Sequence, residues 1–186
     1  MSELTVGQLR GLPVNNNIVT VPSGHTLYAP GHVIQVVQTT KTDTFTTTSG
    51  FTPVTGLSAT ITPKFSTSKI LVLGQVTFGL SGSGLDFGGF RLYGGTTDLY
   101  IGAAAGNRAR AVFGGYSIVD NGLIVLSGSI NYLASPNSTA PQTIGVEVAR
   151  LTGGTVFINR SAGDGDANDS NRVRGASSIT LMEIAQ

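Results

Sequence analysis

The sequence predicts an all-β protein, a two-sheet jelly-roll sandwich carrying an extended N-terminal arm. Three observations lead there. The 186-residue chain holds 26 glycines among many Thr and Ser, with few runs of Ala, Leu, Glu or Lys, so little of it favours helix. Short β-branched or alternating apolar stretches follow one another at close spacing, punctuated by turn residues. The first thirty residues are too apolar for a solvated tail, yet too interrupted for a helix.

The arm covers residues 1–31. Its apolar residues Leu4, Val6, Leu9, Leu12, Val14, Ile18, Val19, Val21, Leu27 and Tyr28 are broken by Gly7, Gly11, Pro13, Pro22, Gly24, Pro30 and Gly31. Such a segment lowers its free energy by lying on another surface, at roughly 25 cal/mol per Å² of apolar area removed from water. A neighbouring subunit is the first surface to consider, and an edge of the chain's own sheet the second. Leu4, Val6, Leu9, Leu12, Val14 and Ile18 are the candidate assembly residues of the arm.

Residues 32–186 form the sandwich domain. Val33 to Gln38 is a β-branched run, and Leu57, Ala59 and Ile61 alternate with Ser and Thr. Ile70, Val72, Val76, Phe78 and Leu80 share one face of a longer strand that Gly74 is expected to bulge. Strands follow around Phe87 to Tyr93, Ala111 to Val119 and Leu123 to Leu133; Ile144, Val146 and Val148 alternate next, and Val156 and Ile158 mark a short strand. Asp120-Asn121-Gly122 and Gly153-Gly154 read as hairpin turns, while Pro53, Pro63, Pro136 and Pro141 fall where strands should stop. So many short strands at this spacing make a two-sheet sandwich, a jelly roll before an open barrel.

The last strand is apolar on both faces, with Ile179 and Leu181 on one and Met182 and Ile184 on the other. A strand buried on both sides is implied. One face meets the core; Met182 and Ile184 are the candidate axis residues facing symmetry mates, unless a loop covers them. Glu183 shares the face of Ile179 and Leu181, so it must lie past the rim or find a partner. The strand pattern alone leaves twofold and threefold assemblies open.

Composition narrows the function. The absence of cysteine removes disulfides and thiolate chemistry and suits folding in a reducing cytoplasm. No 18-residue apolar run occurs, and Glu3 stands where a signal peptide would be basic, so neither a membrane span nor Sec export is expected. Only 11% of residues are charged and the formal net charge is +1, which favours an oligomer docked in something larger. Eleven Lys and Arg, scattered and offset by ten acids, form no phosphate-tracking stripe, so nucleic acid is not an expected partner.

Catalytic and metal chemistry find little support. His25 and His32 have no acid between them. In residues 163–171, GDGDANDSN, the oxygen-bearing Asp164, Asp166, Asn168, Asp169 and Ser170 resemble a calcium loop, but Asp169 and Gly175 occupy the positions where an EF-hand needs Gly and Glu. Arg172 and Arg174 could neutralise those acids without a metal. Arg108 and Arg110 are expected on one face of a strand, suited to acids on a neighbouring subunit. No nucleophile elbow or phosphate-loop spacing occurs. No catalytic residue, cofactor or metal site is assigned, and the protein is expected not to be an enzyme.

Four segments carry a resemblance: Gly31-His-Val-Ile-Gln-Val-Val-Gln, Phe51 to Pro63 reading FTPVTGLSATITP, Ser68-Lys-Ile-Leu-Val-Leu, and the closing SSITLMEIAQ. In this order they resemble a family of virion structural proteins and fibre modules of tailed bacteriophages, often of marine and cyanobacterial hosts. The resemblance implies a jelly roll related in shape to TNF and C1q-like trimers, worn on the outer surface of the particle. The chain departs from fibre members in lacking a coiled-coil or repeat stalk. The expected function is therefore a capsid decoration or cement protein, or a small knob, with itself and the major capsid protein or another virion component as partners. The alternative is a tail-fibre or tail-appendage module that binds a host receptor or glycan through loops such as Ser81 to Gly89, Ala134 to Gln142 and Ser161 to Gly175.

Overall fold

The computed structural model describes residues 9–15, 18–81, 85–95, 97–117, 122–165 and 172–186. Apart from one 3-10 turn at Pro13–Asn15, its regular structure is entirely strand. In chain order these are β1 (Val33–Lys41), β2 (Phe45–Thr47), β3 (Thr52–Ile61), β4 (Lys69–Leu80), β5 (Asp86–Gly94), β6 (Thr97–Leu99), β7 (Phe113–Ser117), β8 (Leu126–Ala134), β9 (Gln142–Thr152), β10 (Val156–Ile158) and β11 (Ser177–Ile184).

Two antiparallel sheets face each other. In the first, β4 pairs with β8 on one side and with β11 and β10 end to end on the other, and β1 and β2 lie beyond them. The second runs β3, β9, β5, with β6 and β7 sharing the far side of β5. The pairings nest: β1/β2 with β10/β11, β3 with β9, β4 with β8, and β5 with β6/β7. A long antiparallel ribbon folded over on itself gives this order, which is the jelly roll.

Residues at every second position point between the sheets, as the alternation requires. Ile70, Val72 and Val76 of β4, Val146 and Val148 of β9, Leu57 and Ile61 of β3, and Ile179 and Leu181 of β11 are fully buried. Phe78 meets Phe90 at a centroid distance of 4.4 Å, and Phe90 stacks on Phe113 at 4.7 Å. Each such side chain contributes about 1.5–3 kcal/mol through burial.

Several expectations need correcting. Gly74 does not bulge β4, since the register runs through it on both sides, to Ile179 and to Ile130. It sits where a Cβ would press on the Ser178 carbonyl and Ile130, so its small size serves close packing rather than a kink. Neither expected hairpin is one: β7 and β8 belong to different sheets, as do β9 and β10. The Gly153-Gly154 turn carries the chain across the sandwich; Asp120 and Asn121 of the other lie outside the described residues. The tight hairpin is β5–β6, turning at Gly95 with φ of 62°. The strand expected over 111–119 shortens to Phe113–Ser117, with residues 118 and 119 outside the described ones. Pro53 lies inside β3, where the missing N–H is tolerated because β3 is an edge strand.

Candidate functional site

The described part of the arm stands off the domain. Leu9, Leu12, Val14 and Ile18 are 69%, 65%, 84% and 60% exposed, and Val19, Val21 and Leu27 are exposed as well. Leu4 and Val6 lie outside the described residues. The chain is first tied down at Tyr28, whose ring meets Phe65 edge-on at 4.8 Å and whose hydroxyl donates to the Gln186 carbonyl. Gly31 N–H then donates to the Ala185 carbonyl at 2.8 Å, and Ala185 N–H to the His32 carbonyl at 2.9 Å. The arm therefore leaves the sandwich beside the C-terminus, where β1 and β11 meet.

On β11, Met182 and Ile184 are half-buried on the outer face of the first sheet, while Ile179, Leu181 and Glu183 point inward. Met182 does not stand alone. The register aligns Val36, Met182, Leu71 and Leu133 in one row across β1, β11, β4 and β8. Val36 and Leu133, at the ends of this row, are about half exposed. Around it lie uncharged polar pairs, Gln38 to Thr180 at 2.9 Å and Gln75 to Ser127 at 2.9 Å. Of the residues that these four strands alternate outward, Lys69 alone is charged, and its ammonium donates to Ser135 at 2.7 Å. A sheet face so poor in charge has little to lose on desolvation.

Glu183 finds its partners inside. It is fully buried and accepts from Gln35 Nε2 at 2.6 Å, from the Lys64 N–H at 2.7 Å and from the Phe65 N–H at 3.3 Å. Burial by itself raises the carboxyl pKa. Hydrogen bonds from Gln35 and from the Lys64 and Phe65 N–H groups help outweigh that effect, and the net shift is downward. The carboxylate thus binds the last strand to β1 and to the β3–β4 connection.

Two buried polar knots escaped the reading of the sequence. Asn159, fully buried with φ of 62°, donates from Nδ2 to the Lys41 carbonyl at 2.8 Å and the Asp43 carbonyl at 2.9 Å. Its Oδ1 accepts from the Ser177 hydroxyl at 2.6 Å, and that oxygen accepts from Thr77 N–H at 3.0 Å. This one amide joins the break between β1 and β2 to the break between β10 and β11. In the second knot, Asp86 Oδ1 accepts from Gly154 N–H at 2.6 Å and Ser81 Oγ from Thr155 N–H at 2.6 Å. A Cβ on Gly153 would overlap Asp86, and one on Gly154 would overlap Ser81. Turn-rich Asn and Gly are the only local signal for either knot.

Several ionisable groups are arranged as ion pairs. Arg91 bridges Glu147 at 2.9 Å and Asp98 at 2.6 Å and lies 3.8 Å above the centre of the Phe51 ring. Asp164 pairs with Arg174 at 2.7 Å and with Arg160 at 3.5 Å; residues 166–171 of the calcium-like stretch lie outside the described ones. His25 and His32 are exposed, and among the described residues no three His, Asp or Glu come together as metal ligands. Arg108 and Arg110 lie in the irregular 100–112 segment rather than on a strand, with Arg110 Nε donating to the Gly102 carbonyl at 2.7 Å. A cavity of about 230 Å³ at one rim is lined by Ile70, Leu99, Tyr132, Pro136 and Ile144 with Thr97 and Gln142, and has no ionisable group other than a tyrosine.

The exposed aromatics do not gather at one end. Phe87 pairs with Tyr116 at 5.8 Å and Tyr100 stacks on Tyr132 at 5.1 Å, while Tyr93 covers Gly145. Phe87 and Tyr93 lie six positions apart on β5, about 20 Å along the strand. Beside the Phe87–Tyr116 pair are Leu85 and Leu151, 63% and 37% exposed.

No family model matches the chain, and no curated protein matches it. Among solved structures, it is similar to that of infectious bursal disease virus, Gt strain, at 17% identity and a TM-score of 0.37, covering 91% of this chain and 42% of that one. The VP2 subviral particle of the same virus gives 16% identity and a TM-score of 0.38, over 91% and 42%. Its T13 particle gives 18% and 0.36, over 82% and 36%. The chain thus spans about two fifths of the length of these structures, and its fold assignment rests on its own strand order.

Proposed function

We propose that this chain is a non-enzymatic structural protein of a bacteriophage virion, a capsid decoration or cement protein, or a small knob, on the outer surface of the particle. The observation that carries the reading is the arm: Leu9, Leu12, Val14 and Ile18 are held in water ahead of a domain that is otherwise well packed. A surface that binds them removes that apolar area from water. Three arms on one trimer bind far more tightly than one, because each seated arm raises the effective concentration of the others. The outer face bearing Met182 and Ile184 supplies the trimer contact. Residues 1–31 act as the anchor and residues 32–186 as the body, and the resemblance of four sequence segments to tailed-phage virion proteins supports the same reading. Deleting residues 2–14 tests it: the shortened protein should fold as before and fail to sediment with particles, whereas undiminished binding would sink the reading.

A second reading has one observation in its favour. The patch of Leu85, Phe87, Tyr116 and Leu151 exposes two aromatic rings side by side, a surface suited to a host receptor or glycan. Phe87→Ala with Tyr116→Ala should abolish adsorption to host cells on that reading and leave it unchanged on the first.

A further inference from the structure

Residues 18–21, Ile-Val-Thr-Val, are strand-forming in composition, and Ile18, Val19 and Val21 are 60%, 48% and 43% exposed. No backbone hydrogen bond joins them to another described residue. The sandwich, for its part, leaves one long edge bare. Among the described residues β8 pairs with β4 along its whole length and with no other strand, and its nine residues include no charge and no proline.

The other edges are protected. β3 carries Pro53 and a register shift, β1 carries a register shift between Val33 and Gln35 and ends on Lys41, and β2, β6 and β7 are short. We propose that residues 18–21 of one copy add as a strand to the free edge of β8 in a second copy. This deepens the reading of the arm as an assembly element and rests on it.

The chemistry of the two segments fits. Both are uncharged, so pairing them strands no ion, and the edge N–H and C=O groups of each gain partners. Alternation puts Val19 and Val21 on one face of the added strand and Ile18 and Thr20 on the other. With Val19 and Val21 outward, the row Val36–Met182–Leu71–Leu133 gains a fifth strand, and Ile18 comes to the side of Tyr132, on which Tyr100 stacks. A second copy is the occupant because residues 18–21 stay exposed and make no backbone hydrogen bond with their own β8, while the chain is first tied down at Tyr28, beside the end of β11.

Hydrogen exchange on the full chain across a concentration series, with mass measured in parallel, decides the matter. Protection of residues 18–21 and of residues 126–134 should rise together as oligomers form, and Val19→Pro, which removes an N–H from the added strand, should speed exchange several-fold in both. Ser129→Lys, which charges the edge, should do the same from the other side. If residues 18–21 gain protection while 126–134 do not, the arm docks elsewhere and this proposal fails while the assembly reading stands. If both are protected in a monomer, the arm lies on its own sheet and the proposal fails. If residues 18–21 stay unprotected both in the oligomer and on particles, the assembly reading fails with it.

Discussion

Gln35 Nε2 donates to Glu183 Oε2 at 2.6 Å, placing a fully buried carboxylate under amide rather than cationic control. The same nitrogen donates to the Thr62 carbonyl at 2.7 Å, so one side chain ties β1, β11 and the β3–β4 connection together just where the arm departs. These bonds fix the point on the domain from which residues 1–31 depart.

Acid should weaken this junction. The folded-state pKa of Glu183 lies below its ordinary value of 4.5, so the stability it contributes is complete above that value and is lost as pH falls through the folded pKa. Thermal melts should therefore show an acid limb below about pH 4.5 that Glu183→Gln flattens. Glu183→Ala should cost about 2 kcal/mol at neutral pH by leaving the Lys64 and Phe65 N–H groups unpaired. An unchanged acid limb in Glu183→Gln would assign the acid sensitivity to another carboxylate.

Asn159→Ala should be among the most damaging single changes outside the apolar core. It removes three hydrogen bonds at a buried site and puts Ala at a positive φ, so a loss of about 3 kcal/mol is expected by denaturant titration. Asn159→Gly keeps the backbone freedom and should recover only a small part of it. Full recovery in Asn159→Gly would mean that the backbone, not the amide, matters.

Gly153→Ala should destabilise the fold by about 2 kcal/mol, because the new Cβ falls on the Asp86 carboxylate and the backbone has φ of 72°. Asp86→Ala empties that space while giving up the bond to Gly154 N–H. In a double-mutant cycle the two changes should couple, the double variant losing less than the sum of the singles. Simple additivity would show that the turn relaxes independently of Asp86.

Met182→Asp combined with Ile184→Asp should leave the domain folded, because both side chains lie on the outer face of β11, and should give monomers on dilution because the proposed subunit contact would bury each carboxylate unpaired. Light scattering coupled to size exclusion reads the outcome. Retention of the parent mass would place the contact on another face.

The sandwich was legible where alternation is strict. Ile144, Val146 and Val148 read as one buried face and are one, and the two-faced pattern of Ser178 to Ile184 marks a central strand. Connectivity was less so. Gly153-Gly154 announces a turn, but turn residues set local φ and not the sheet that the next strand joins, so a crossover between sheets reads like a hairpin. Arg108 and Arg110 are expected on a strand, yet the residues around them lack apolar alternation and lie in irregular backbone. Nothing in the sequence marks Asn159, because its partners Lys41 and Asp43 are more than a hundred positions away in the chain. For the N-terminal segment, the described residues Leu9, Leu12, Val14 and Ile18 are exposed, and the sequence does not say what surface covers them.

The most direct measurement is the number of copies of this protein per purified particle, relative to the major capsid protein, by quantitative mass spectrometry. A decoration or cement protein spread over the shell predicts near-stoichiometric abundance. Absence from the particle would contradict a virion role altogether, and a few copies per particle would contradict the shell assignment and bring the patch at Phe87 and Tyr116 forward as a receptor surface.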